Sequence, residues 1–168
     1  GEARRLADDL AVFLGKEVPL LPSRDFQFHP GAASHQWEHQ RLELLAALDR
    51  GDCPILTATV EGMLQRTIPP ARFRSACKTL AVGEICDLDT LTDFLVSAGY
   101  TRCDQVEGTG QFALRGGILD LFSPGLDLPI RMELWGDEID SMGLFDPVTQ
   151  RRTENIECFT VLPVGETQ

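Results

Sequence analysis

Apolar residues follow two different periods along this chain, and the change of period divides it. Across residues 2–14, Ala3, Leu6, Leu10, Phe13 and Leu14 recur at helical spacing, and Gly15 stands where a helix-ending glycine belongs. Val18-Pro-Leu-Leu21 then reads as a short strand, and residues 36–50 as a second helix with Leu42, Leu45 and Leu48 as its inner stripe and Gly51 as its stop. Cys53-Pro-Ile-Leu-Thr-Ala58 is a second apolar strand. Thr59 is placed to cap a short helix through Leu64, because its hydroxyl can accept from an early amide. The order helix, strand, helix, strand, helix is that of a parallel α/β layer, here with only two clear strands.

Pro69-Pro70 marks the internal boundary, since tandem prolines break both helix and ladder. Beyond it the pattern predicts a strand over Cys77 to Val82 and a helix with Leu88, Leu91, Phe94, Leu95 and Ala98 on one side, closed by Gly99. After Tyr100 the period shortens to two. Strands are expected at about 103–106, 111–115, 117–122, 130–135, 138–145 and 156–161, with Gly116-Gly117, Ser123-Pro-Gly125 and Gly136-Asp137 as turns. The expected fold is therefore α/β: a partial parallel layer over residues 1–70, then a smaller α+β domain over 71–168 with a mainly antiparallel sheet.

The strand over 130–135 alternates without a break. Burying Ile130, Met132 and Leu134 turns Arg131, Glu133 and Trp135 to the opposite face. On the 111–115 strand the same rule sends Phe112 and Leu114 inward and leaves Gln111, Ala113 and Arg115 outward. If the two strands are neighbours, Arg115 and Arg131 come together beside Trp135, and Arg102 extends the patch. Trp and Arg dominate binding hot spots, so this face is the candidate interaction surface. The competing reading is that the arginines neutralise carboxylates within the domain. Asp120, inside Ile-Leu-Asp-Leu-Phe, needs a partner such as an Arg or a backbone amide, because a carboxylate among apolar residues is costly unless paired or hydrogen-bonded.

Composition narrows the function. A net charge of −11 over 168 residues argues against a dedicated nucleic-acid binder, while leaving room for one local basic patch. The five cysteines are odd in number and lack Cys-x-x-Cys spacing, so reduced thiols are expected rather than a disulfide framework or a metal cluster. Two clusters could suggest a metal, one of His29, His35 and His39 and one of Glu133, Asp137, Glu138 and Asp140; solvated histidines and an acidic hairpin account for both, and no metal is expected. Phe26, Phe28, His29 and Pro30 lie in a loop from Pro22 to Ser34 that also suits ligand stacking. There is no phosphate-binding Gly-x-x-x-x-Gly-Lys loop and no Gly-x-Ser-x-Gly elbow, so no catalytic residue and no cofactor site is assigned. The first residue is Gly1 rather than Met and no signal-peptide pattern follows, so a piece of a larger protein is expected.

Three stretches carry a resemblance: Gly110-Gln-Phe-Ala-Leu-Arg-Gly-Gly-Ile-Leu-Asp-Leu-Phe122, Leu128-Pro-Ile-Arg-Met-Glu-Leu-Trp-Gly-Asp-Glu-Ile-Asp-Ser141 and Phe145-Asp-Pro-Val-Thr-Gln-Arg151. Over about residues 72–165 the chain resembles the UvrA-interacting domain shared by the nucleotide-excision-repair protein UvrB and the bacterial transcription-repair coupling factors. Ser97-Ala-Gly-Tyr100 and Asp104-Gln-Val106 are similar to that family as well. Ahead of it, the segment from Leu21 to His35 is short and has no tyrosine, unlike the DNA-clamping hairpin of UvrB, and Arg41-Leu42, Ile55-Leu-Thr-Ala-Thr59 and Met63-Leu-Gln-Arg66 look like the coupling factor.

The resemblance implies a degenerate helicase-like layer, a remnant of UvrB domain 1a without a nucleotide loop, followed by a UvrA-interaction domain. It implies a non-catalytic, cytoplasmic bacterial module, monomeric by itself, that recruits UvrA to stalled RNA polymerase. RNA polymerase, DNA, ATP and Mg would then engage other parts of the parent protein, an ATP-driven translocase. The family's UvrA contacts fall on Arg102, Arg115, Arg131 and Trp135, with Glu133 between them. Trp135 replaces a more usual Phe, and Ala113 stands where UvrB-type sequences carry an arginine, which puts that contact in question. Arg131→Glu and Trp135→Ala are expected to abolish UvrA binding with the fold intact. The alternatives are a piece of UvrB itself, gripping DNA and hydrolysing ATP, and a DNA-binding element using the same arginines on phosphates.

Overall fold

The computed structural model describes residues 1–23 and 33–166, with side chains in the second stretch from Gln36 onward. The aromatic loop residues Phe26, Phe28, His29 and Pro30 and the side chain of His35 lie outside the described residues. The chain divides into two units, Gly1–Ile68 and Pro69–Gln168.

The first unit runs α1 (Glu2–Leu14), β1 (Leu20–Leu21), α2 (Ala33–Arg50), β2 (Thr57–Ala58) and α3 (Val60–Leu64). β1 and β2 pair in parallel, Leu20 with Thr57 and Leu21 with Ala58. Both local end signals act as the sequence predicts: Gly15 closes α1 in the left-handed conformation, and the Thr59 hydroxyl accepts from Gly62 N at the start of α3. The apolar stripes differ from expectation. In α1 the buried residue is Ala7, whereas Leu6, Phe13 and Leu14 are exposed. In α2, Leu42 is buried with Arg41, Leu44 and Ala46, while Leu48 is exposed. Those buried positions span more than one stripe, so α2 is covered on more than one side and its leucine spacing alone does not mark the inner face.

The buried cation in α2 has a structural role. Arg41 Nη1 donates to the carbonyls of Pro22 at 2.9 Å and Gly62 at 3.1 Å, and Nη2 donates to Thr67 Oγ1 at 2.7 Å. One guanidinium thus ties the chain after β1, the short helix α3 and the unit's last residues together.

The second unit contains α4 (Pro70–Ser75), β3 (Lys78–Ala81), α5 (Leu88–Ser97), β4 (Thr101–Arg102), β5 (Gln111–Arg115), β6 (Ile118–Phe122), β7 (Ile130–Trp135), β8 (Glu138–Phe145), β9 (Arg152–Ile156) and β10 (Cys158–Val161). A six-stranded sheet has the order β4-β5-β6-β7-β8-β9, antiparallel except for the parallel pair β4–β5; β3 and β10 form a separate antiparallel pair. The fold is thus α/β with a mainly antiparallel sheet. Three predicted elements change. Pro70 begins α4 instead of ending structure, because the first helical position needs no amide hydrogen. The strand expected at 103–106 is absent, and the two-residue β4, Thr101–Arg102, lies just before it. The strand expected at 156–161 is two strands, split at Glu157 between different sheets.

One face of the large sheet packs on α5. Leu91 and Leu95 meet Phe112, Leu119, Met132 and Ile139, which are almost fully buried. Tyr100 belongs to the same core. Its hydroxyl donates to the Leu162 carbonyl at 2.6 Å and lies 2.8 Å from Ser123 Oγ, which in turn accepts from Leu162 N at 3.2 Å. Burial pushes this phenol well above its ordinary pKa. All five cysteines are free thiols.

Candidate functional site

The opposite face of the sheet carries the polar rows. Antiparallel register sets Ala113, Asp120, Arg131 and Gly143 side by side on β5 to β8, and next to that row Arg115, Ile118, Glu133 and Ser141. Directly opposed residues share a face, so these two rows form one surface.

Asp120 organises the first row. It is 2% exposed. Arg131 donates to it through both arms of its fork, Nε to Oδ1 at 2.7 Å and Nη2 to Oδ2 at 2.8 Å. Arg115 adds Nη2 to Oδ2 at 2.9 Å. The buried carboxylate therefore has the partners that its apolar sequence context demanded, and they are arginines. Arg131 is itself largely covered: its side chain is 18% exposed, its guanidinium carbon lies 4.3 Å from the Phe145 ring centroid, and Nη2 also donates to Gln150 Oε1 at 2.7 Å. Hydrogen bonding to Asp120 holds its pKa above the ordinary arginine value. Arg115 remains 51% exposed while its Nη2 holds Asp120.

Gln150 reaches Arg131 from a turn that Asp146 builds. Asp146 Oδ1 accepts from Val148 N and Thr149 N, Gln150 N donates to Asp146 O, and Gln150 adopts φ +61°. That conformation is strained for a residue with a side chain, and its partners hold it there. Glu133 pairs not with the neighbouring arginines but with Arg152, at 2.8 Å, and Arg152 also donates to Ser141 Oγ at 3.1 Å. Gly143 makes this possible: a Cβ there would stand 2.8 Å from Arg152 Cδ and 2.5 Å from Glu154 O.

Trp135 closes β7. It is 84% exposed and faces the same way as Glu133, opposite Glu138 across the Gly136-Asp137 turn. Gly136 at φ +65° supplies the turn's left-handed position. Arg102 is placed differently. Its register partner is Phe112, a core residue, so it projects from the sheet edge on the side of α5 and not with Arg115 and Arg131. The structure thus brings together Arg115, Arg131, Glu133 and Trp135 and sets Arg102 apart. It also adds Asp120, Phe145, Gln150 and Arg152, of which only Asp120 stands out in the sequence. Because Arg131 is a buried partner of Asp120, Arg131→Glu would place two carboxylates together inside the fold; the expectation that it leaves the fold intact is therefore revised. Among the described residues no group of three or more His, Cys, Asp or Glu converges as a metal site.

The UvrB interaction domain family model matches residues 79–166, which contain every strand of this face. The chain belongs to the UvrB interaction domain family. It is 35% identical to the transcription-repair-coupling factor of Myxococcus xanthus over 176 residues, 32% identical to that of Bacillus subtilis over 168 residues and 34% identical to that of Escherichia coli over 170 residues. Each alignment covers 98% of this chain and 14% of the relative. The chain therefore spans about one-seventh of the length of the curated relatives it matches, and the similarity includes the first unit as well as the interaction domain. These relatives are bacterial, and no helix among the described residues is long and apolar enough to cross a membrane.

Proposed function

We propose that this chain is the UvrA-recruiting part of a transcription-repair coupling factor and acts by binding, without catalysing a reaction itself. The observation that carries the reading is Trp135: a large aromatic, almost fully exposed, at the end of a strand whose arginine row is fixed around a buried carboxylate, in a UvrB interaction domain. An exposed anchor on a rigid platform loses little freedom on binding, which is what a protein-docking face requires. Arg115 is the cation best placed to meet a partner carboxylate, and Glu133 and Arg131 hold the surface beside it; Arg102, on the α5 side of the sheet edge, lies outside this face. The first unit, in which β1 and β2 pair in parallel, is the UvrB-like remnant. RNA polymerase, DNA and ATP belong to the remainder of the parent protein, a bacterial cytoplasmic translocase.

The reading as a piece of UvrB has weaker support, since the relatives aligned along nearly the whole chain carry the coupling-factor name. The test is a calorimetric titration of the chain with purified UvrA. Trp135→Ala and Arg115→Glu are each expected to weaken binding at least about tenfold, since loss of a central anchor typically exceeds 1.4 kcal/mol. Unchanged affinity in both variants would reject the proposal.

A further inference from the structure

The row that begins at Trp135 does not end on β8. Residues 83–86 pair along the other side of the hairpin: Gly83 N donates to Ile139 O, Ile139 N to Glu84 O and Cys86 N to Asp137 O, at 2.8, 2.9 and 2.6 Å. Ile85 is thereby set opposite Glu138 in an antiparallel bridge. The flanking bonds make this the non-hydrogen-bonded kind of pair, whose side chains approach most closely. Glu138 is also the register partner of Trp135, so Trp135, Glu138 and Ile85 stand in line on one face, spanning about 10 Å at ordinary strand spacing.

Each member of this row is exposed, Trp135 at 84% and Ile85 at 69%. Single exposed apolar residues need no explanation, but two large ones flanking a carboxylate on a fixed backbone form a shaped surface. Edge protection does not account for Glu138, because the β8 backbone at this point is bonded on both sides. No ion pair among the described residues engages Glu138. By contrast, Asp120 and Glu133, the carboxylates on the rows behind it, are both paired with arginines. Asp137 and Asp140 sit beside Glu138, so this end of the face is acidic, whereas Arg115 and Arg131 lie at the other end.

Resting on the reading of this face as the UvrA-docking surface, we propose that Trp135, Glu138 and Ile85 form a seat for an arginine side chain of the partner. The aliphatic stem lies against Ile85, the guanidinium stacks on the indole, and its N–H groups donate to the Glu138 carboxylate. A planar guanidinium satisfies stacking and in-plane hydrogen bonding together, which a lysine ammonium does not. The partner surface is therefore bipolar: a carboxylate over Arg115 and an arginine over Glu138. The seat gives the complex its orientation, since docking turned end for end would oppose like charges.

The test titrates the chain with purified UvrA in four variants, Glu138→Lys, Ile85→Asp, Trp135→Ala and Arg115→Glu, with Glu138→Gln as a milder companion to the first, each checked for an unchanged melting transition. The expected result is at least about a tenfold loss of affinity for Glu138→Lys and for Ile85→Asp, with Glu138→Gln intermediate. If Glu138→Lys binds like the parent while Trp135→Ala or Arg115→Glu loses affinity, the arginine seat is overturned and the docking face stands. If none of the four loses affinity, the docking face and the seat fall together. Should Ile85→Asp fail to fold, Glu138→Lys decides alone, because the Glu138 side chain is exposed beside a turn and has no ion-pair partner among the described residues to lose.

Discussion

Asp120 and Arg131 face each other across β6 and β7 and share two parallel hydrogen bonds of 2.7 and 2.8 Å, with the carboxylate buried beneath the guanidinium. The pair makes the outer face a supported platform instead of a solvated row of charges. Removing one member of a buried pair leaves the other charge uncompensated, at about 3–5 kcal/mol. Asp120→Ala is therefore expected to destabilise the second unit by about 3 kcal/mol, measured by urea unfolding. A change under about 0.5 kcal/mol would show that the ion pair is not what holds the face.

Arg131 and Trp135 occupy one strand but should respond in opposite ways. Trp135 is open to solvent, so Trp135→Ala should leave stability within about 0.5 kcal/mol while removing the partner anchor. Arg131→Ala should lower stability by about 3 kcal/mol and reduce binding only through that loss. Parallel urea and titration curves separate the two; a Trp135→Ala variant that melts early would contradict its placement at an exposed hairpin end.

The six-stranded sheet and its binding face were only partly legible in the sequence. Alternation reported Arg131, Glu133 and Trp135 as one row because period two is local to a strand. That Asp120 needs a partner follows from desolvation alone; that the partners are arginines and not backbone amides does not. What alternation cannot report is which strand lies next to which. Arg102, expected to extend the patch from its place just after the helix, belongs to β4, which adds in parallel to β5 with Arg102 opposite Phe112. Arg152 was missed because its partner Glu133 lies two strands away, across register shifts between Glu133 and Leu134 and between Leu144 and Phe145. Ile85 reads in sequence as a loop residue, and only the bridge to Glu138 brings it to the face.

Gly143 is the position where that hidden register can be tested. Gly143→Ala would force its Cβ to 2.5 Å from the Glu154 carbonyl and 2.8 Å from Arg152 Cδ. The first neighbour is backbone and cannot swing away, so β9 must shift. A loss of about 1–3 kcal/mol is expected, as for other overpacked sites. Addition of Arg152→Ala should recover little of it, since the backbone clash remains; full recovery would show that only the arginine side chain is in the way.

Asp87 gives an acid-sensitive contact with a defined sign. It caps α5, with Oδ1 accepting from Thr90 N at 2.7 Å. The Thr90 hydroxyl, and after it the Thr90 amide, hold the carboxyl below its ordinary value of 3.8. A carboxylate whose pKa is lowered on folding adds stability that is present above the unfolded value and disappears as pH falls through the folded one. The melting temperature of the parent should therefore exceed that of Asp87→Asn at neutral pH, and the gap should close on acidification below 3.8. Asparagine still offers an oxygen to the helix start, so the comparison isolates the charge from the hydrogen bond. A gap that stays constant from neutral pH to well below 3.8 would show that ionisation of Asp87 contributes nothing to this cap.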